Sequence, residues 1–370
     1  MKTRFNVKVV VLFLVLFVMA GSAFADPYVN YPGTRARGMA GAFTAVADDG
    51  SAMWYNPAGL AFEGTDVILE YSDSVEWDKN KSRLSDGDSS YFLAGRFKGG
   101  WGVSFYEPYK TSYGINFVDN GNTYTGLVSS DVNQLSAGKG FSLGSNGNFK
   151  LGFTIDMTYI SLDDSQSDVY KNGFPANYVV EDDSAIGLAA SLGAMYVIPI
   201  ESKGMNIKLG ATYHSESSSE SADTYSNEPD LFVERPSSWD IGASFSKSFA
   251  AFPSALLLSV QYGETDYGSM GDLAEDLTWE KTSFGVEYVI SKQILFMKNL
   301  AFRAGVYESD MAEWSAPHVK GKSFGIGTLI GDHFGLDLTK ETREFDWPVG
   351  HWWNGQEDLD LISLAATWTF

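Results

Sequence analysis

The feature that most constrains the fold is a strict alternation of apolar residues with small or polar ones, sustained over whole segments. Residues 149–159 read FKLGFTIDMTY, with apolar side chains at every odd position and small or polar ones at every even position. Residues 205–214, 239–246 and 283–288 repeat the pattern. A period of two is that of a β-strand, whose successive side chains point to opposite faces. We therefore predict an all-β fold.

The length of these runs separates two kinds of β protein. Strands of a water-soluble β-sandwich average five or six residues. Several runs here have ten residues or more, and a tilted strand needs about 9 to 11 to cross a membrane. The pattern thus predicts a transmembrane antiparallel β-barrel. We predict about fourteen strands, at residues 65–76, 89–98, 101–110, 132–143, 148–162, 184–198, 205–215, 237–248, 255–262, 278–290, 299–307, 321–330, 333–342 and 358–370.

The predicted connections alternate in length. Six are short turns, at residues 99–100, 144–147, 199–204, 249–254, 291–298 and 331–332. Each connection between them is predicted to have 12 residues or more. Outer-membrane barrels have short periplasmic turns, long external loops and an even strand number.

Composition excludes several other classes. The 370 residues carry 26 Lys and Arg against 47 Asp and Glu, a net charge of −21 that argues against a nucleic-acid partner. The absence of cysteine excludes disulfides, thiolate catalysis and cysteine-ligated metals. Beyond residue 25, no apolar run is long enough for a membrane helix.

The first 25 residues have the pattern of a cleavable signal peptide. Lys2, Arg4 and Lys8 precede an apolar stretch, and residues 23–25 read Ala-Phe-Ala, a small-residue cleavage pattern. We predict export to the outer membrane of a Gram-negative cell. The predicted division is residues 1–25 for the signal peptide, 26–64 for an N-terminal hatch and 65–370 for the barrel.

The end of the chain carries an assembly signal. The last predicted strand places Trp368 and Phe370 on an apolar face that also includes either Leu361 or Ile362. A C-terminal Phe after such a strand resembles the signal read by the outer-membrane barrel assembly machinery. Aromatic residues near other strand ends are predicted to form two girdles: Tyr71, Trp101, Tyr196, Trp239, Tyr262 and Trp279.

Residues 26–64, the hatch, show no strand alternation. Small residues dominate from Gly38 to Ala47, and Asp48 or Asp49 can cap a short helical turn that runs through Tyr55. Asn56 precedes a proline and is biased out of the helical conformation, so the turn ends there. Such a compact segment before the first strand is a candidate plug for the barrel.

A specific resemblance supports the same assignment. Residues 36–52, ARGMAGAFTAVADDGSA, and 55–61, YNPAGLA, look like the N-terminal signature of the FadL-like outer-membrane superfamily. The run is most similar to the PorV/PorQ and UPF0164 branch. Within the matching run, the residues that we take as the hatch motif are Arg37, Gly38, Gly41, Asp48, Asp49, Asn56, Pro57, Ala58 and Gly59.

The resemblance implies a barrel closed by the hatch and two alternative functions. In FadL-like transporters, apolar molecules enter from outside and leave sideways through a gap in the wall. In the PorV branch, the barrel is an accessory of protein secretion that holds exported proteins. We favour passage of hydrophobic small molecules, of the fatty-acid or hydrocarbon class, and keep the secretion accessory as the alternative. Membrane lipid and lipopolysaccharide are the expected surroundings.

No catalytic or metal-binding pattern stands out. The four histidines lie on separate segments without metal-ligand spacing, and there is no G-x-S-x-G motif. The sequence alone does not pair His214 with a serine of a neighbouring strand, so it predicts no Ser/His hydrolase site. The acidic runs 163–168, 181–183 and 272–276 are read as solvated loops rather than cation sites. We predict no enzyme activity, no cofactor and no metal.

Two further sites are predicted on the strands. Glu287 and Arg303 become cross-strand neighbours on the lumen face if their strands pair about residue 294, and they form either a clamp for the hatch or a plain wall salt bridge. Other charges predicted to face the lumen are Lys150, Asp156, Lys208, Asp240 and Asp337.

Pro108 has no N–H to donate, so it either opens the wall locally or ends its strand at the outer loop.

Overall fold

The fold is an antiparallel β-barrel with an N-terminal segment packed inside it. The computed structural model describes residues 31–77, 83–119, 122–144, 146–163, 170–171, 174–175, 184–219, 235–266, 278–293, 297–311, 317–347 and 358–370. The predicted signal peptide, residues 1–25, lies outside the described residues, as do the three acidic runs apart from Asp163.

In the described part of the chain, seventeen strands form one sheet, and three of them are two-residue pieces: Tyr170–Lys171, Phe174–Pro175 and Ser218–Ser219. The other fourteen follow one another around the barrel, which closes where β1 pairs with β14 from Asp66–Thr369 to Trp77–Asp358. They are β1 Asp66–Trp77, β2 Arg83–Phe97, β3 Trp101–Asp119, β4 Asn122–Leu143, β5 Phe149–Asp163, β6 Ser184–Ile200, β7 Met205–His214, β8 Ser237–Phe249, β9 Ser254–Asp266, β10 Thr278–Ile290, β11 Met297–Met311, β12 His318–Ile330, β13 Phe334–Asp346 and β14 Asp358–Thr369.

The predicted strand number and the six short turns are confirmed, but the prediction for the opposite connections was partly wrong. β3 runs on to Asp119 and β4 begins at Asn122, whereas the predicted strands ended at residue 110 and began at residue 132. β2 likewise begins at Arg83 rather than at residue 89. In β3 the alternation does continue in the sequence, at Tyr113, Ile115 and Phe117, but the prediction ended the strand soon after Pro108. The added part of β2, residues 83–88, reads RLSDGD and carries no apolar alternation. The end of the barrel with the six turns is called the short-turn end below, and the opposite end the long-connection end.

The two faces of the strands follow the predicted alternation. On β5, Ile155 and Leu151 are exposed on the outward face, while Thr154 and Asp156 have no exposed surface on the inward face. At β14 the alternative resolves in favour of Ile362, because Leu361 faces inward and is buried. The outward face is therefore a belt of apolar side chains.

Six of the seven predicted girdle residues lie on the outward face. Trp101, Tyr71, Tyr196 and Trp368 are exposed there, and Trp239 and Tyr262 are half-buried. Trp279 was wrongly predicted, because it shares the inward parity of Glu287 on β10 and donates its indole N–H to the Ser309 hydroxyl. Nearness to a strand end suggested a girdle residue, but side-chain parity decides which face a residue takes.

The main hydrophobic cluster lies inside the barrel and is centred on the hatch. Between Pro32 and Leu60, only Arg35, Asp48 and Asp49 are not buried. The hatch contains two short helices, α1 Thr34–Arg37 and α2 Ala52–Tyr55, and a 3₁₀ turn, Pro57–Ala61. No helix in the described part of the chain is long and apolar enough to cross a membrane.

Candidate functional site

The local structure of the hatch follows its Asn-Pro-Ala-Gly sequence. α2 ends at Tyr55, as predicted, because Asn56 takes an extended conformation before Pro57. The Asn56 side chain accepts a hydrogen bond from the Ala58 backbone N–H at 3.0 Å and so caps the 3₁₀ turn. The predicted acidic cap was wrong, because the N-cap residue of α2 is Ser51 and no side chain caps the helix; Asp49 instead accepts from the Ser51 backbone N–H, at 2.9 Å, just before α2.

Asn56 also joins the hatch to the wall. Its amide nitrogen donates to the backbone carbonyls of Thr44, at 2.9 Å, and of Ala194 on β6, at 3.0 Å. Gly193 permits this approach, because a Cβ built there would lie 2.1 Å from the Asn56 side-chain oxygen. Gly59 has the same role within the hatch, where a Cβ would lie 2.0 Å from the Ala47 carbonyl oxygen. Both glycines are required by close packing of the backbone.

A charge cluster ties the hatch to the opposite side of the wall. The Arg35 guanidinium donates to both carboxylate oxygens of Glu287, at 2.9 and 3.0 Å, and to Asp48 and Asp49 at 2.6 and 3.1 Å. Glu287 also accepts from Arg303 at 2.6 Å. Glu287 therefore makes both the wall salt bridge and the contact to the hatch that were alternatives on sequence grounds.

The electrostatics favour the charged forms within the hatch. Burial disfavours ionisation of Asp48, but the charges of Arg35 and Lys208 outweigh it and hold the pKa of Asp48 well below its usual range. Burial also opposes the charge on Arg35, but Glu287 and Asp48 raise the pKa of Arg35 well above its usual value. Arg35 and Asp48 therefore stay ionised at neutral pH.

Other wall side chains bind the hatch backbone directly. The Gln261 side-chain oxygen accepts from the backbone N–H groups of Phe43 and Thr44, each at 2.9 Å. The Ser244 hydroxyl donates to the Ala45 carbonyl at 3.0 Å, and the Thr339 hydroxyl donates to the Thr34 carbonyl at 2.8 Å. Hydrogen bonds from β8, β9 and β13 thus hold the hatch around much of its circumference.

The remaining motif residues line the same interface. Arg37 is buried and lies 3.6 Å from a carboxylate oxygen of Glu70 on β1. Gly38 follows α1 beside Thr339 and Arg303, and Gly41 takes a positive φ of 75°. Sequence reasoning missed Arg35 and Glu70. The signal for Glu70 was present, since it is a charged residue between the outward-facing Leu69 and Tyr71.

The strand ladders of the wall differ in length. The ladder between β2 and β3 has six pairs, from Phe97–Trp101 to Phe92–Tyr106, whereas every other neighbouring pair around the barrel has ten or more. Among the described residues beyond Tyr106, β3 pairs only with β4, and β2 only with β1. These parts of β2 and β3 are therefore not paired with each other towards the long-connection end.

Pro108 lies just beyond the last pair of the β2–β3 ladder. The β3–β4 register shifts between Tyr106 and Tyr109, so that Glu107 and Pro108 form a bulge opposite β4. β3 then continues to Asp119, which is inconsistent with the expectation that Pro108 merely ends the strand. A residue without an N–H is compatible with a position where the regular ladder is interrupted.

Aromatic side chains meet on the lumen side of this break. Phe92 and Tyr106, the last pair of the ladder, are both buried and in edge-to-face contact at 5.8 Å. Trp54 of α2 packs edge-on against Tyr106 at 5.2 Å. The hatch thus touches the wall at the end of the β2–β3 ladder.

The structure brings His214 next to a serine, but not as a catalytic triad. The His214 Nδ1 atom lies 2.8 Å from the Ser191 hydroxyl, which donates to Asp156 at 2.9 Å. In a catalytic triad the histidine lies between the serine and the carboxylate, whereas here Ser191 lies between His214 and Asp156. Within the described residues, no group of three or more His, Asp or Glu side chains is arranged to hold a metal ion.

Comparisons with known proteins support the fold. No protein-family model and no curated protein matches the chain. Solved structures do match, at 13% identity: the monoaromatic hydrocarbon channel CymD, with a TM-score of 0.58 over 94% of this chain and 99% of that one. The toluene transporter TbuX of Ralstonia pickettii matches with a TM-score of 0.58 over 92% and 99%. A FadL homologue of Pseudomonas aeruginosa matches with a TM-score of 0.51 over 94% and 99%. The chain therefore has the fold of FadL-like barrels.

Proposed function

We propose that the protein is an outer-membrane channel for hydrophobic small molecules, which leave the lumen sideways between β2 and β3. The observation that carries this proposal is the early end of the β2–β3 ladder at Tyr106, directly beside the hatch. A molecule entering from the long-connection end meets the buried hatch and finds an unpaired stretch of wall next to it.

The surface and the structural neighbours support the same function. The outward belt of apolar side chains suits the hydrocarbon core of a membrane, with lipopolysaccharide in the outer leaflet. The neighbours CymD and TbuX are named as a monoaromatic hydrocarbon channel and a toluene transporter. We therefore assign a fatty-acid or hydrocarbon cargo, export through the predicted signal peptide, and a non-enzymatic role.

The absence of cysteine allows the lateral route to be tested with a reversible cross-link. Tyr91→Cys and Glu107→Cys would place thiols at the first position beyond the end of the ladder. Leu93→Cys and Phe105→Cys occupy a true ladder pair and serve as the matched control. Uptake of a fluorescent fatty acid and of radiolabelled toluene is measured in cells, before and after reduction.

We expect the Tyr91–Glu107 disulfide to block uptake and its reduction to restore it, because the cross-link draws the separated strands together. The control disulfide should leave uptake unchanged. Uptake that persists through the Tyr91–Glu107 disulfide would rule out this exit. If the unmodified protein gives no uptake above an empty-vector control, the transport proposal fails, and the secretion accessory of the PorV/PorQ and UPF0164 type becomes the function to test.

A further inference from the structure

The indole of Trp54 is held between two side chains of the wall. On one side it stacks on the His214 imidazole, with ring centroids 5.1 Å apart and an angle of 24° between the planes. On the other side it meets Tyr106 edge-on. Trp54 is 7% exposed, so most of the ring is enclosed by these contacts. This ring therefore lies beside the end of the β2–β3 ladder.

A buried chain of polar contacts fixes the His214 ring. The Ser191 hydroxyl lies 2.8 Å from His214 Nδ1 and donates to Asp156. Asp156 in turn pairs with Arg235 at 2.7 Å, and neither of these side chains has any exposed surface. Arg235 reaches across the lumen face to Gln134 on β4 at 3.1 Å. His214 therefore has little freedom to turn, because its partner is itself held on several strands.

We propose that His214 is a positioning residue that, through the Trp54 indole, sets the size of the apolar molecule able to reach the break between β2 and β3. With the imidazole in place, Trp54 stays against Tyr106 and the passage is narrow. Without it, the indole loses one of its two supporting faces and can swing away from the wall. This inference rests on the proposed lateral passage, but its first test does not require transport.

The first test measures access to a thiol close to the Trp54–Tyr106 contact. Ser104 is 3% exposed on the inward face of β3, two residues from Tyr106 towards the short-turn end. In Ser104→Cys, the only thiol of the protein replaces this buried hydroxyl. We expect His214→Ala to raise the rate of labelling by a small maleimide about fivefold, which corresponds to about 1 kcal/mol for a lost ring contact.

A matched control exists at the short-turn end. His333 stacks on Trp368, with centroids 6.0 Å apart and planes at 20°, on the outer rim of the barrel. His333→Ala removes the same kind of ring contact far from the break, so the labelling rate should not change. His214→Phe retains a ring that can stack on Trp54 and should label at nearly the wild-type rate.

The second test measures size selection. Uptake of a pyrene-labelled fatty acid is compared with that of toluene in wild type, His214→Ala and His333→Ala. We expect His214→Ala to raise the pyrene-to-toluene ratio about threefold or more, because loss of the stack widens the passage for the larger molecule. A merely structural role would lower both uptakes together and leave the ratio unchanged.

An unchanged labelling rate in a folded, heat-modifiable His214→Ala barrel would overturn the inference, and so would an equal rise in His333→Ala. If His214→Ala does not fold, Ser191→Ala keeps the imidazole but removes its hydrogen bond, and a rise of about twofold is then expected. A wild type that takes up neither probe would contradict the proposed function, while the labelling rates would still decide the role of His214.

Discussion

Glu287 forms ion pairs both with the hatch and with a neighbouring strand of the wall. Its carboxylate accepts from Arg35 of the hatch and from Arg303 of the neighbouring strand, and its side chain is only 6% exposed. Removing one partner of a buried ion pair leaves the other charge without compensation. The two guanidinium groups then depend on Asp48, Asp49 and Asp337 for neutralisation.

We therefore expect Glu287→Gln to destabilise the folded barrel by about 2–3 kcal/mol, somewhat below the range for a fully buried pair because Arg35 is partly exposed. The measurement is the midpoint of urea unfolding in detergent. The folded fraction at each urea concentration is read from the heat-modifiable band. Glu344→Gln is the matched control, since the Lys322–Glu344 pair is exposed on both sides and should contribute little. Equal midpoints for the two variants would contradict the larger contribution to stability that we assign to Glu287.

The pH dependence of the hatch contacts follows from Asp48. Its pKa is depressed in the folded protein, so its contribution is fully present above the unfolded-state pKa of about 3.9 and is lost as the pH falls through the lower folded value. We expect the stability difference between wild type and Asp48→Asn to stay constant from pH 8 to pH 5 and to shrink below about pH 4. A difference that shrinks already between pH 7 and pH 5 would show that Asp48 is not held by Arg35 and Lys208.

At the scale of elements, the strands were predictable because one physical rule dominates them. Side-chain alternation located all fourteen strands, and it placed Glu287 and Arg303 opposite each other on the lumen face. It was not followed far enough in β3, where Tyr113, Ile115 and Phe117 continue the alternation beyond the predicted end at residue 110, and it gives no signal in the polar first residues of β2, 83–88. Side-chain alternation could not predict the contact of Arg35 with Glu287, because this contact joins a segment without periodicity to a strand about 250 residues later in the chain.

The terminal strand supports a prediction about assembly. Phe370 follows β14 directly, is 74% exposed, and donates its backbone N–H to Thr65, just before β1, at 3.0 Å. We expect deletion of Phe370 to lower the heat-modifiable, membrane-inserted fraction severalfold and to raise periplasmic aggregate, because the assembly machinery loses the aromatic terminus and the closing strand loses an end contact. Phe252→Ala is the control, since Phe252 is also an exposed aromatic in a short turn. Normal insertion of the truncated chain would contradict the assigned role of Trp368 and Phe370.

For the whole molecule, the hatch and the barrel form a filled cylinder. Sixteen-stranded porins leave an aqueous channel, and a fourteen-stranded barrel without its filling should conduct ions as well. We expect deletion of residues 27–58 to raise single-channel conductance in planar bilayers at least severalfold, while the barrel stays folded by the heat-modifiability assay. Unchanged conductance of the folded deletion variant would show that the hatch does not occlude the lumen.

The contacts of the hatch also impose an order on events during biogenesis. Thr34 accepts from Thr339 of β13, and Ala40 donates its backbone N–H to Ser323 of β12, so these hatch residues find their partners only after about 300 further residues have been made. These contacts can form only once β12 and β13 are in place, so the hatch completes its attachment to the wall late in the assembly of the barrel.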